Sequence, residues 1–122
     1  MNPRLLPMDF DQVFTGRVTY APKVIVNASL EETADRLHAR MIEGEDGLDH
    51  FSAIPLALRT DGGDSLKFAL WRHRGNPDHT FAIHLPLDME NIGLPVLMIL
   101  EALEIPRGAI LSHDPELVRA GA

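Results

Sequence analysis

The fold is decided by residues 54–85, which read IPLALRTDGGDSLKFALWRHRGNPDHTFAIHL. Apolar residues alternate with small or polar residues in three segments of this stretch, and the sequences DGGD and GNPD separate the segments. Alternation with a period of two is typical of a strand with one buried face, whereas glycine, asparagine, proline and aspartate favour chain reversals. The pattern therefore predicts a three-stranded antiparallel meander.

The length of the first loop sets the register of the meander. A three-residue loop of Asp61, Gly62 and Gly63, with Gly63 in the left-handed conformation, is a type I turn followed by a glycine bulge. It predicts three apolar cross-strand pairs: Leu58 opposite Leu66, Leu56 opposite Phe68 and Ile54 opposite Leu70. A two-residue loop would instead place leucines of the first strand opposite Lys67 and Ala69, which scatters the apolar side chains.

The second loop, residues 75–78, predicts Leu70 opposite Ile83 and His84 opposite Ala69. Both loops therefore place the same apolar set on one face of the sheet. The other face is less polar than a solvent-exposed face should be. Its predicted residues are Lys67, Ala69, Trp71, His73, Thr80, Ala82 and His84.

The chain before the meander contains strand and helix patterns. Residues 12–20 alternate as a strand does, and residues 23–26 form a short β-branched run, so the two pieces form a hairpin or one bent strand. The capping box Ser29-Leu30-Glu31-Glu32 precedes apolar residues at helical spacing. We therefore expect a helix over residues 30–43, followed by an exposed loop over residues 45–50.

A second helix follows the meander. Pro95 suits its first turn, and the helix is expected to run to about Glu104. Because residues 96–100 are apolar on every side, this helix should be buried or lie in a subunit contact. A short strand at residues 109–111 and a short tail helix that begins near Ser112 complete the pattern.

The predicted fold is an α+β two-layer sandwich in the order β(β)-α-β-β-β-α, with a short C-terminal tail helix. An antiparallel sheet of four to five strands has two main helices packed on one face, because its apolar side must be covered. Residues 1–122 form a single domain. Within it, residues 1–11 are an N-terminal arm and residues 112–122 are a C-terminal tail.

The composition excludes several classes of chemistry. The 122 residues include no cysteine, which rules out disulfides, thiolate catalysis and cysteine-ligated metal clusters. The net charge of −7, from 18 acidic and 11 basic residues, disfavours general binding to nucleic acid or to an anionic membrane. No apolar stretch approaches the ~20 residues that span a bilayer. We expect a cytoplasmic protein, since the absence of disulfides fits that compartment.

The six histidines do not have the spacing of a metal site. His79 and His84 are an odd number of residues apart, so on one strand they point to opposite faces. His73 and His84 share the outer face, but the predicted register separates them by two pair positions. We therefore predict no set of metal ligands and no cofactor.

The segment Trp71-Arg72-His73-Arg74 has the strongest functional pattern in the chain. An aromatic ring beside guanidinium groups is suited to a phosphate, a carboxylate or a stacked base. Strand alternation, however, sends Arg72 and Arg74 to one face and Trp71 and His73 to the other. The structural alternative is a sheet end, in which arginine side chains cover an apolar edge and Trp71 lies under a partner or under the N-terminal arm.

The sequence does not bring together a nucleophile, a base and an orienting group, so no catalytic residue is assigned. The first functional hypothesis is an interaction module that acts as a homodimer through an apolar sheet face or a helix, with a possible protein partner. The second is a small-ligand-binding protein or enzyme, whose pocket between sheet and helices is lined by Trp71, His73 and His84. A third, anion or nucleic-acid binding at Arg72, His73 and Arg74, is disfavoured by the acidic net charge.

Overall fold

The computed structural model describes residues 4–14, 19–46, 49–59, 63, 65–74 and 79–113. Within these residues the chain has mixed α and β structure, with seven strands in one antiparallel sheet and three α-helices. The elements in chain order are β1 (Arg4–Pro7), α1 (Phe10–Val13), β2 (Tyr20–Val26), α2 (Leu30–Leu37), β3 (Ile42–Asp46), β4 (Asp49–Arg59), β5 (Ser65–His73), β6 (Phe81–Pro86), α3 (Gly93–Ala102) and β7 (Ile110–His113). A 3-10 turn over Arg107–Ala109 leads into β7.

The sheet is organised around β4, a strand of 11 residues. The strand order is β1-β4-β5-β6-β2-β7, and β3 also pairs with β4. On the side of β4 away from β5, β1 pairs with the C-terminal half of β4 and β3 pairs with its N-terminal half. At the other end of the sheet, β7 pairs with β2. One edge of the sheet is therefore β7, and the opposite edge is shared by β1 and β3.

The predicted register of the meander is confirmed. Its cross-strand pairs in the structure include Leu58 with Leu66, Leu56 with Phe68, Ile54 with Leu70, Leu70 with Ile83, and Ala69 with His84. Gly63 has a φ of 86°, a left-handed value that suits glycine, as the bulged turn requires. The other residues of the two loops, 60–62, 64 and 75–78, lie outside the described residues.

One face of the sheet forms the main core together with α2 and α3. The meander contributes its predicted apolar face, on which Phe68, Leu70 and Ile83 are fully buried. Leu30 of α2 and Ile99 of α3 are fully buried in the same cluster. Burial of a side chain of this size contributes about 1.5–3 kcal/mol, which explains why the apolar sides of sheet and helices meet.

The predicted count of four to five strands is wrong, because the described residues form seven. Part of the difference lies in the N-terminal arm, which contains β1 and the start of the one-turn helix α1. The strand expected from residue 12 is also wrong at its start, since Gln12 and Val13 belong to α1. The Asp9 N–H donates to the Gln12 side chain at 2.8 Å, and this local hydrogen bond favours the helical turn. Residues 15–18 lie outside the described part of the chain.

The first main helix is shorter than predicted. The N-terminus is as expected, with the Glu32 N–H donating to Ser29 Oγ at 3.2 Å. The helix ends at Leu37 rather than at residue 43, because His38 is left-handed with a φ of 52°. Residues 42–46, expected to be helix end and loop, instead form β3, whose backbone pairs with β4. Pairing with the adjacent strand β4 therefore overrides the weak strand preference of this acidic segment.

In the C-terminal part of the chain, the predicted second main helix is present as α3, but the residues expected to begin a tail helix belong to a strand. Helix α3 carries Pro95 in its first turn and ends at Ala102, two residues before the predicted end. Ser112 and His113 belong to β7 and not to a tail helix, and residues 114–122 lie outside the described residues. None of the helices in the described part of the chain is long and apolar enough to cross a membrane.

Candidate functional site

The outer face of the sheet, opposite α2 and α3, carries a cluster of aromatic rings. We define the outer aromatic cluster as Phe10, Phe14, Phe51, Trp71 and His84. The Trp71 ring lies between two others, 4.1 Å from the Phe51 ring at 18° and 5.0 Å from the His84 ring at 17°. Its cross-strand neighbours are Ala53 and Ala82, whose small side chains leave room for the indole. Strand alternation and alanine neighbours together place the tryptophan here.

The N-terminal segment covers this cluster. β1 pairs with β4, and the Met8 N–H donates to the Pro55 carbonyl at 3.0 Å, which directs the following residues over the outer face. Phe10 and Phe14 then stack on each other at 4.5 Å, and Phe14 meets the Trp71 ring edge-on at 5.5 Å. Trp71 is consequently only 8% exposed. Of the two alternatives for covering Trp71, the arm is the one present in this chain.

The Trp71 indole has an unsatisfied polar atom. Its Nε1 is buried, and no described residue accepts a hydrogen bond from it. A buried donor without a partner costs about 1–3 kcal/mol, so the rings around Trp71 must offset this loss by packing. Tyr20 lies at the margin of the cluster, 5.0 Å from the Phe14 ring, and burial raises the pKa of its hydroxyl.

Arg72 connects the sheet to the start of α2. Its guanidinium donates two hydrogen bonds to the Glu31 carboxylate, at 2.5 and 3.1 Å. The Arg72 side chain is 16% exposed and the Glu31 side chain is 49% exposed. The hydrogen bonds from Arg72 lower the pKa of Glu31 to about 2. The pair therefore holds the first turn of α2 against the end of β5, and most of the charge of Arg72 is neutralised within the chain.

A groove lies at one end of the sheet, where β3, β4 and β5 are neighbours. We call it the end groove. It has a volume of about 350 Å³ and is lined by Glu43, Gly44, His50, Phe51, Ser52, Arg72 and Arg74. The register explains the lining, because Glu43, Ser52 and Arg72 are directly opposite one another on adjacent strands. In the next row, the Arg74 N–H donates to the His50 carbonyl at 2.8 Å.

The groove has one acidic and one basic side. Glu43 and Glu45 are two residues apart on β3, so they share a face. Arg72 lies in β5 and Arg74 directly follows that strand, where its N–H still donates to the β4 backbone, so both arginines line the groove. On β4 between them lie Ser52 and His50, and His50 Nε2 is 3.3 Å from the carboxylate of Glu45. Arginine and carboxylate side chains in these positions are suited to binding a polar or charged ligand.

The structure divides the five predicted binding residues between the two faces. Arg72 and Arg74 line the end groove, as their shared face implied. Trp71 and His84 stack on the outer face, and the His73 ring is 6.2 Å from the Trp71 ring. A site made from these three residues would lie beneath the N-terminal segment and away from α2 and α3, so the five do not form one site.

Sequence reasoning did not find several residues of these two regions. Phe10 and Phe14 had the spacing of one helical face, but no helix was expected in the arm. Glu43 and Ser52 were not placed near Arg72, because residues 42–46 were not expected to pair with β4. If β3 had been recognised as a strand, its pairing with β4 would have placed its glutamates across β4 from the arginines.

No described group of three or more histidine, aspartate or glutamate side chains is positioned to hold a metal ion. Comparisons of this chain with protein-family models, with curated proteins and with solved structures give no significant match. Function is therefore inferred from the geometry of this chain.

Proposed function

We propose that this protein is a small cytoplasmic interaction module that acts as a homodimer. In this proposal the fold is a two-layer α+β sandwich, in which α2 and α3 cover one face of the sheet. The dimer forms at the edge strand β7, which pairs antiparallel with β7 of a second copy about a twofold axis. The exposed apolar residues at this edge carry the proposal.

The β7 edge combines an open strand with exposed apolar side chains. Leu111 in β7 is 59% exposed, and Ile25 in the neighbouring strand β2 is 40% exposed. Ile25 pairs with Ser112 and Val26 pairs with Ile110, so a bulge at Leu111 redirects its side chain. No described strand pairs with the outer side of β7. Unpaired backbone groups beside exposed leucine and isoleucine favour pairing with another chain.

The opposite edge of the sheet has the features that prevent such pairing. β1 contains Arg4 and Pro7, and proline has no N–H to donate to a further strand. β3 contains Glu43 and Glu45, whose charges would repel a second copy of the same strand. The β7 sequence Ile-Leu-Ser-His contains neither proline, lysine nor glutamate. The contrast between the two edges favours β7 as the contact.

The outer sheet face supports the same choice. Phe10 and Phe14 already lie over Trp71, so this part of the face does not need a second chain to cover it. The other exposed apolar residues of comparable size stand alone: Leu94 of helix α3 is 66% exposed, and Leu87 after β6 is 55% exposed. A single leucine buries much less area than a sheet edge flanked by two apolar side chains.

The oligomeric state in solution tests the proposal. We expect a dimer by light scattering coupled to size-exclusion chromatography, with the dimer fraction rising with protein concentration. Leu111→Lys should give a monomer at the same concentration, because it places a charge in the contact. Leu87→Lys is the matched control, since Leu87 is 55% exposed at the end of β6, and it should remain a dimer.

Two results would contradict the proposal. A wild-type protein that stays monomeric over the whole concentration range would exclude the homodimer. Dissociation by Leu94→Lys, with Leu111→Lys still dimeric, would show that α3 and not β7 forms the contact. Circular dichroism should show that each variant is folded, which is expected because all three leucines are exposed.

A further inference from the structure

The end groove presents opposite charges on its two sides. Glu43 is exposed on β3, and Arg74 is exposed directly after β5, with Ser52 of β4 between them. Arg72 also reaches the groove, but its guanidinium is held by the two hydrogen bonds to Glu31. The principal charges that an incoming ligand meets are therefore the carboxylate of Glu43 and the guanidinium of Arg74.

This arrangement discriminates between classes of ligand. A simple anion would be attracted by Arg74 and repelled by Glu43 and Glu45, whereas a simple cation would experience the reverse. A ligand with one positive and one negative group would meet an opposite charge at each end, and like-charge contacts would be avoided. Charge complementarity thus favours a zwitterion over either simple ion.

The distance between the two sides sets the length of the ligand. β3 and β5 are separated by β4, so their backbones are about 10 Å apart, which is two interstrand spacings. Arg74 also lies two residues, about 7 Å, further along the sheet than Glu43, so the backbone positions of the two residues are about 12 Å apart. A zwitterion whose charges are several bonds apart spans this distance better than a compact α-amino acid. The groove volume of about 350 Å³ lies at the lower end of the range for small-molecule sites. A groove of this volume suits a small linear molecule.

We propose that the end groove binds a linear zwitterion, such as an ω-amino acid, with its carboxylate on Arg74 and its ammonium group on Glu43. The guanidinium of Arg74 donates to the carboxylate, and the Glu43 carboxylate accepts from the ammonium group. Ser52 and Arg72 supply polar groups between them. This site is independent of β7 and of the homodimer.

Titration of wild-type protein with 6-aminohexanoate, followed by isothermal calorimetry and by amide chemical shifts, is the direct test. Hexanoate and hexylamine are matched probes, because each keeps the chain and only one of the two charges. We expect saturable binding of 6-aminohexanoate, at least fivefold tighter than that of either probe. The amide signals of β3 and β5 at the groove should shift. Equal binding of hexanoate, or no saturable binding of 6-aminohexanoate, would overturn the proposal.

Two substitutions assign the ends of the ligand. Arg74→Gln should weaken 6-aminohexanoate binding at least fivefold and remove the advantage over hexylamine. Glu43→Gln should weaken it similarly and remove the advantage over hexanoate. Arg59→Gln is the control, because Arg59 is an exposed arginine at the far end of β4 and its loss should leave binding unchanged. Equal weakening by Arg74→Gln and Arg59→Gln would show that the loss of any arginine has this effect and would overturn the assignment.

Discussion

Replacement of Gly44 by alanine tests how closely β3 packs against the outer aromatic cluster. A Cβ atom at Gly44 would lie 2.8 Å from Cζ and 3.0 Å from Cε2 of Phe51. Ordinary carbon contacts are about 3.5–4.0 Å, so the phenyl ring would have to retreat by roughly half an ångström or more. Its freedom to do so is limited, because the ring stacks on Trp71 at 4.1 Å.

The expected effect is a net loss of stability. Insertion of a methyl group into a well-packed region costs about 1–3 kcal/mol. Replacement of glycine by alanine also restricts the unfolded chain, which stabilises a compatible site by about 0.4–1 kcal/mol. We therefore expect Gly44→Ala to lower the free energy of unfolding by about 1 kcal/mol. In a Phe51→Leu background the clash with the ring is absent, so the same change should be neutral or stabilising.

Urea unfolding monitored by the fluorescence of Trp71 measures this free energy, since the chain contains a single tryptophan. Gly108→Ala is the matched control, because among the described residues no atom beyond its two chain neighbours lies within 4 Å of the Cβ position there. It should change stability by less than about 0.5 kcal/mol. A Gly44→Ala protein as stable as the wild type would refute the close packing. So would an equal loss in the Phe51→Leu background, because the effect would then not come from the ring.

Two further predictions concern the contacts that hold α2 and the N-terminal segment. Glu31→Gln should lower the free energy of unfolding by about 0.5–1 kcal/mol at pH 7, a value reduced for the half-exposed carboxylate. Because the folded pKa of Glu31 is lowered from 4.5 to about 2 by Arg72, this stabilisation is present above pH 4.5 and is lost as the pH falls to about 2. Glu32→Gln keeps the Glu31–Arg72 pair, so it should still lose this stabilisation over the same pH range, whereas Glu31→Gln has none to lose. An equal acid-dependent loss in both variants would contradict the role of the pair. Phe14→Ala should cost about 1–2 kcal/mol, since the ring is half-buried, and should raise the acrylamide quenching of Trp71; unchanged quenching would show that the segment does not cover the indole.

The meander and the start of α2 were predictable because their interactions are local. Gly63 sets the loop that brings β4 and β5 together, and one loop length is enough to choose the register. Ser29 caps a helix whose apolar residues follow at once, so its N-terminus was correct. The common face of Arg72 and Arg74 also follows from alternation alone, which is why half of the end groove could be recognised.

Tertiary structure decided the parts whose partners lie far away in the chain. Leu5 of β1 pairs with Leu58, and Arg72 binds Glu31 across 41 residues, so no local pattern indicates either contact. β3 differs from these, because its partner β4 is the next strand in the chain. Its sequence, rich in glutamate and glycine, disfavours a strand on its own, and pairing with β4 supplies the backbone hydrogen bonds that it lacks. The sequence by itself determined which side chains face the core. Which segment covers the other face, and which acid faces the arginines, depends on contacts that form only when the whole sheet is assembled.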